Sequence, residues 1–98
     1  TSSSPAYICL FVEALADGAV RAGFSRDDAY KMALQTMYGT AKLMLEKNIH
    51  PAVLKDQVCS PGGTTIEGVA ALENAGFRNA VLEAMVAVRE KVKVLGKG

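Results

Sequence analysis

The chain has no tryptophan, a single histidine and only two cysteines in its 98 residues. Cys9 and Cys59 stand fifty positions apart and His50 is alone, so no four-ligand zinc site can be assembled. Neither thiol has an evident histidine partner for nucleophilic catalysis, and both are expected to act as small buried apolar groups in a reducing compartment. An excess of charge is lacking too. The formal net charge of +1 gives no electrostatic case for nucleic acid or an anionic membrane surface. Lys91, Lys93 and Lys97 gather near the end, but Glu90 before them and Val92 and Val94 between them make this an ordinary solvated helix terminus. No charged leader with an apolar core opens the chain and no apolar run reaches membrane length, so a soluble cytoplasmic protein is expected. Alternating strand patterns, internal repeats and low-complexity linkers are all missing. So are a Gly-x-Gly-x-x-Gly turn after a strand and a phosphate-binding Walker loop. The length fits one domain with a core, short of what most cofactor-dependent enzymes need.

What is present is helical. Ser4 can cap and Pro5 suits a first turn, so a helix is expected from there to about Ala22, with Gly23 as its stop. Glu13, Asp17 and Arg21 form one narrow polar stripe on it, a solvated face or an i,i+4 pair. Tyr7, Ile8, Leu10, Phe11, Val12, Leu15 and Val20 cover the rest, and such a helix must be surrounded by others. Ser25 with Asp28 opens a second helix running to about Lys47. Gly39 lies inside it, where glycine costs ~1 kcal/mol relative to alanine unless a close helix crossing offsets it. Asn48 ends this helix, and Pro51 starts a short one ending near Val58. His50 beside Pro51 fits a solvent-facing or helix-starting role better than catalysis. Two further helices are expected, from about Thr65 to Ala75 and from Phe77 or Arg78 onward. The last carries Val81, Ala84, Met85, Val88 and Val92 on one stripe, with Leu82 and Leu95 beside it. The four methionines at helical spacing are packing residues. The fold class is all-α, with about five helices.

The segment Cys59-Ser60-Pro61-Gly62-Gly63-Thr64-Thr65 breaks the helical pattern. Proline fixes its own φ and the glycines open conformations closed to other residues, so the loop has a set shape. Thr64 is the expected N-cap of the next helix, with Glu67 completing a capping box. The first amides of a helix lack internal partners and sit at the positive end of its dipole, and glycines before them let an anion approach. The loop fits a carboxylate or phosphate; a tight helix-to-helix turn whose amides meet only water fits the same spacing.

Leu54-Lys55-Asp56-Gln57-Val58-Cys59-Ser60-Pro61-Gly62-Gly63-Thr64-Thr65-Ile66, followed by Ala70, Leu72, Glu73 and Gly76-Phe77-Arg78, resembles the signature of pyrroline-5-carboxylate reductase. The likeness extends through Pro5-Ala6-Tyr7, Glu13-Ala14-Leu15-Ala16-Asp17-Gly18 and Ala41-Lys42, and covers essentially the whole chain. It implies a C-terminal helical domain over residues 1–98, for dimerisation through interlocked protomers and for much of the substrate site. An N-terminal Rossmann domain, outside these residues, would bind NADP or NAD. The implied reaction reduces a cyclic imino acid to proline, the last step of proline biosynthesis. The chain departs from the family at Ser2-Ser3-Ser4-Pro5, where Gly-Ser-Gly-Pro is usual.

Carried over by position, the amides around Gly63, Thr64 and Thr65 would hold the substrate carboxylate. Ser60, Gly62 and the Val58 backbone would line the same pocket, and the Thr65 hydroxyl would meet the imine or amine nitrogen as the catalytic group. The residues alone leave two other readings open: a non-enzymatic helical oligomerisation module that keeps the loop as a turn, and a stand-alone anion or amino-acid sensor.

Overall fold

In the computed structural model, which describes residues 2–97, the chain folds into five helices and, among those residues, no strand. These are α1 (Ser4–Arg21), α2 (Arg26–Lys47), α3 (Pro51–Val58), α4 (Thr64–Asn74) and α5 (Phe77–Lys97). They fall into two units, one reaching Leu54 and the other starting at Lys55, with the boundary inside α3.

The first unit is the α1–α2 hairpin. Ser4 is itself helical, and the cap position belongs to Ser3, whose side chain makes no capping bond. Pro5 in the first turn sets the helical φ there instead. Gly23 ends α1 at φ +110°, with the Gly23 amide donating to Val20 O at 3.0 Å and the Phe24 amide to Ala19 O at 3.1 Å. That pair of bonds satisfies carbonyls the helix end would leave open. Ser25 then caps α2 as expected, its hydroxyl accepting from the Asp28 amide at 3.1 Å. Asn48 in the left-handed region (φ 52°) closes α2.

Within the hairpin only Val12 and Ala16 of α1 and Ala29 and Ala33 of α2 are buried. Each pair is four residues apart, hence on one face, and the alanines let the two backbones approach. Asp17, on the polar stripe of α1, pairs not along its own helix but with Arg26 at the start of α2, at 2.5 Å. This hydrogen bond is the main reason the Arg26 guanidinium is raised above its ordinary pKa. Arg26 also lies over the Tyr30 ring, 5.8 Å from its centroid.

The rest of α1 is not surrounded by this chain. Ile8, Leu10 and Leu15 are exposed, Leu10 by 65%. Cys9 is exposed and Cys59 half-buried, contrary to the expectation of two buried thiols. α2 is the helix that packs against α1, and Cys9 lies away from that contact. Gly39 meets no close crossing, since a β-carbon there would have nothing within 4 Å. In the second unit α4 packs against α5. Gly76 at φ +82° turns the chain between them, and Arg78 Nε bridges back to both Glu73 carboxylate oxygens at 2.9 and 3.1 Å. The α5 stripe of Val81, Met85, Val88 and Val92 is exposed. No helix among the described residues is long and apolar enough to cross a membrane.

Candidate functional site: the loop between α3 and α4

α3 ends at Val58, and the Cys59 amide still donates to Lys55 O at 3.1 Å. The chain then reverses over four residues. The Gly63 amide donates to Ser60 O at 3.1 Å, Pro61 occupies the second position, and Gly62 takes φ +71°. Proline followed by a positive-φ glycine inside such a bond is a type II turn. Any side chain at position 62 would be forced into the left-handed region, and here the glycine is required.

Gly63 leaves the turn in an extended conformation (φ −81°, ψ 178°) and takes the N-cap position of α4. This corrects the expected capping box. Thr64 is the first helical residue, so Glu67 falls one position beyond the place from which a box residue reaches back. The cap position needs extended ψ, and the last residue of the turn already supplies it. Gly63 carries no side chain, so α4 has no side-chain cap. α2, by contrast, has its Asp28 amide engaged by Ser25.

Thr64, Thr65 and Ile66 therefore form the opening turn of α4, and no helix carbonyl lies four residues behind their amides. The positive end of the helix dipole falls on the same three groups. Thr64 and Thr65 are exposed, and the Thr65 hydroxyl makes no hydrogen bond among the described residues. Val58, Ser60 and Gly62 are exposed beside them, and Gly63 is half-buried. The six residues singled out from the sequence thus lie in one short stretch: Val58 at the end of α3, Ser60, Gly62 and Gly63 in the turn, and Thr64 and Thr65 at the start of α4.

One feature of the loop has no signal in the sequence. The Ser60 hydroxyl lies over Gly63, where a β-carbon would fall 2.5 Å from Ser60 Oγ and 3.3 Å from Ser60 O. Glycine at 63 leaves room for that hydroxyl at the mouth of the loop. His50 is no part of the loop. Its Nδ1 accepts from the Ala52 amide at 3.1 Å and so starts α3. Among the described residues no group of three or more His, Cys, Asp or Glu side chains could hold a metal ion.

The chain matches one family model, described as pyrroline-5-carboxylate reductase dimerisation, over residues 1–95. It is 56% identical over 97 residues to the pyrroline-5-carboxylate reductase of Escherichia coli, covering 99% of this chain and 36% of that protein. The Methanosarcina acetivorans reductase is 48% identical over the same length and the same shares. Among solved structures, a crystal structure of Plasmodium falciparum pyrroline carboxylate reductase with NADP bound superposes with a TM-score of 0.94 at 36% identity. It covers 98% of this chain and 39% of the other. The Streptococcus pyogenes enzyme gives 0.81 at 41% identity, over 84% of this chain and 32% of that one. The chain thus spans about a third of the length of the curated relatives it matches. With its fold, its loop and nearly its full length in common with them, the chain belongs to the pyrroline-5-carboxylate reductase dimerisation family.

Proposed function

We propose that these 98 residues are the C-terminal domain of an NAD(P)H-dependent reductase that converts 1-pyrroline-5-carboxylate to L-proline, and that they supply self-association and the carboxylate-binding loop. The observation that carries this reading is the Ser60–Gly63 turn opening directly onto an α4 start with no side-chain cap. The amides of Thr64, Thr65 and Ile66 suit a carboxylate, as helix N-termini do for anions in general. Ser60, Gly62 and the Val58 backbone border the same space, and Gly63 keeps it open.

The dinucleotide has no home here. Its pyrophosphate and ribose need a glycine-rich turn after a strand and an acidic partner further on. The described residues contain no strand, and their one Gly-Gly turn follows a helix. An N-terminal Rossmann domain of a longer parent chain supplies that cofactor and its hydride. What this domain does is hold and polarise the imino acid. Negative charge builds on the ring nitrogen as its carbon accepts hydride, unless a proton or hydrogen bond meets it. The Thr65 hydroxyl, one residue into α4 and without a hydrogen bond among the described residues, is the group we assign to donate it.

The dimerisation family matched over residues 1–95 supports self-association, and the small net charge gives no electrostatic case for nucleic acid or an anionic membrane as partner. We take the homo-oligomer to act on a small molecule in the cytoplasm. The test is oxidation of reduced dinucleotide by the parent chain and by residues 1–98 alone. Oxidation that depends on the cyclic imine and occurs only in the parent supports the reading. An inert parent, or turnover by residues 1–98 alone, refutes it and favours a binding module or a different enzyme.

A further inference from the structure

His50 stands at the cap position of α3 and serves that helix twice. Its carbonyl accepts the Leu54 amide at 3.1 Å, the first bond of the helix ladder, and its Nδ1 accepts the Ala52 amide at 3.1 Å. Pro51 between them has no amide to satisfy. A side chain that accepts from the second amide of a helix is an N-cap, a place taken most often by serine, threonine, aspartate or asparagine. None of those four titrates near neutrality, whereas imidazoles as a class change charge between about pH 5 and 8. Nδ1 offers one lone pair, which holds either the Ala52 amide or a proton.

Protonation would act on α3 in two ways of the same sign. It turns the acceptor into a donor facing the Ala52 amide, and it puts positive charge at the positive end of the helix dipole. Neighbouring charges do not offset this. Lys47 lies in the last turn of α2 just before His50, while Lys55 and Asp56 of α3 pair with each other at 3.2 Å. Among the described residues no carboxylate forms an ion pair with His50, which is itself exposed. α3 has 8 residues, none of them buried, and a helix so short depends heavily on its ends. It runs directly into the turn, with the Cys59 amide still bonded to Lys55 O.

We propose that His50 is a proton-sensitive cap, which holds α3 and the Val58 edge of the loop in shape while its imidazole is neutral. The contribution is full at the alkaline side of the imidazole range and is lost as pH falls through it. His50 is thus a positioning residue for the loop. Its effect on α3 is independent of the carboxylate reading, and its effect on substrate binding rests on that reading.

The experiment compares the full-length parent protein with His50→Asn, which caps without titrating, and with His50→Ala, which does not cap. Amide exchange of the α3 segment is followed by mass spectrometry, with α5 of the same preparation as the reference. From about pH 8 to pH 5, protection of α3 in the parent is expected to fall about 5-fold relative to His50→Asn. His50→Ala should be about 5-fold less protected than the parent at the alkaline end, with no further relative loss. A parent-to-Asn ratio that stays flat, or α3 of His50→Ala as protected as that of the parent, overturns the cap. In kinetics the KM of the parent for the cyclic imine should rise over the same window relative to His50→Asn. The titration of the substrate cancels in that ratio. A flat KM ratio beside a falling protection ratio overturns the step from helix to loop. Exchange reads α3 without turnover, so an inert parent would sink the reductase reading and not the cap.

Discussion

Replacing Gly63 by alanine tests the geometry of the loop at its tightest point. The backbone at 63 has φ −81°, open to any residue, so no conformational strain arises. The new β-carbon would sit 2.5 Å from Ser60 Oγ, which must move, and 3.3 Å from Ser60 O, which must give by a few tenths of an ångström. Ser60 is exposed, so its hydroxyl can turn away at a cost of about 0.5–1.5 kcal/mol. Alanine is also a poorer N-cap than glycine by about 0.5–1 kcal/mol. Against these stands a gain of about 0.4–1 kcal/mol from a stiffer unfolded chain. The net loss of stability is about 1 kcal/mol. The loss of substrate binding is expected to be larger in proportion, because the displaced hydroxyl leaves the mouth of the loop. One missing hydrogen bond of about 1.4 kcal/mol would raise KM about tenfold. A double-mutant cycle with Ser60→Ala isolates the contact, using urea unfolding at fixed protomer concentration beside steady-state kinetics. With the hydroxyl already removed, Gly63→Ala should cost about 0.5–1 kcal/mol less than in the unsubstituted protein. A coupling near zero would refute the placement of Ser60 over Gly63.

Gly62→Ala carries a different penalty, since φ +71° holds its side chain in the left-handed region. It should cost about 1–2 kcal/mol in unfolding experiments, with no relief from Ser60→Ala. Asp17→Asn removes the ion pair to Arg26, but both side chains are more than half exposed, so the loss should stay under about 1 kcal/mol and shrink with added salt. A loss of 3 kcal/mol would mean the pair is buried in the assembly. Residues 1–98 should sediment as a dimer or larger at micromolar concentration, with the α1 helix between protomers. Leu10→Asp should shift that equilibrium toward monomer, because Leu10 is among the apolar groups this chain leaves uncovered. A folded monomer without any substitution contradicts it.

The helix ends were legible because their punctuation is local. Gly23, Ser25, Asn48, Pro51 and Gly76 each act through their own φ or their own side chain, and all stand within two residues of the observed boundaries. The Thr64-x-x-Glu67 pattern misled for the same reason. It is a valid capping signature, but the cap also needs an extended backbone, and the preceding turn delivers that conformation at Gly63. Cys9 shows a second limit. Periodicity says that α1 is apolar nearly all round, not which side a neighbour covers, and within this chain α2 covers only the face of Val12 and Ala16. The loop was the most legible part of the candidate site, since proline and glycine dictate its conformation. The Ser60 hydroxyl over Gly63 was not legible, because it depends on a rotamer.

The central claim is that this loop handles the imino acid, and Thr65→Ala in the full-length parent protein of the proposed reductase tests it most directly. Thr65 lies in the first turn of α4, its hydroxyl makes no hydrogen bond among the described residues and it has no part in capping the helix, so folding should be nearly unchanged. Loss of one hydrogen-bond donor at the reacting nitrogen should lower turnover by about 100- to 1,000-fold, about 2.7–4 kcal/mol at the transition state. Steady-state kinetics and thermal unfolding of the same preparation separate the two effects. A large fall in kcat with an unmoved Tm is the predicted result. Near-normal turnover, or a loss that merely tracks unfolding, would contradict the account and leave the loop as a turn between two helices.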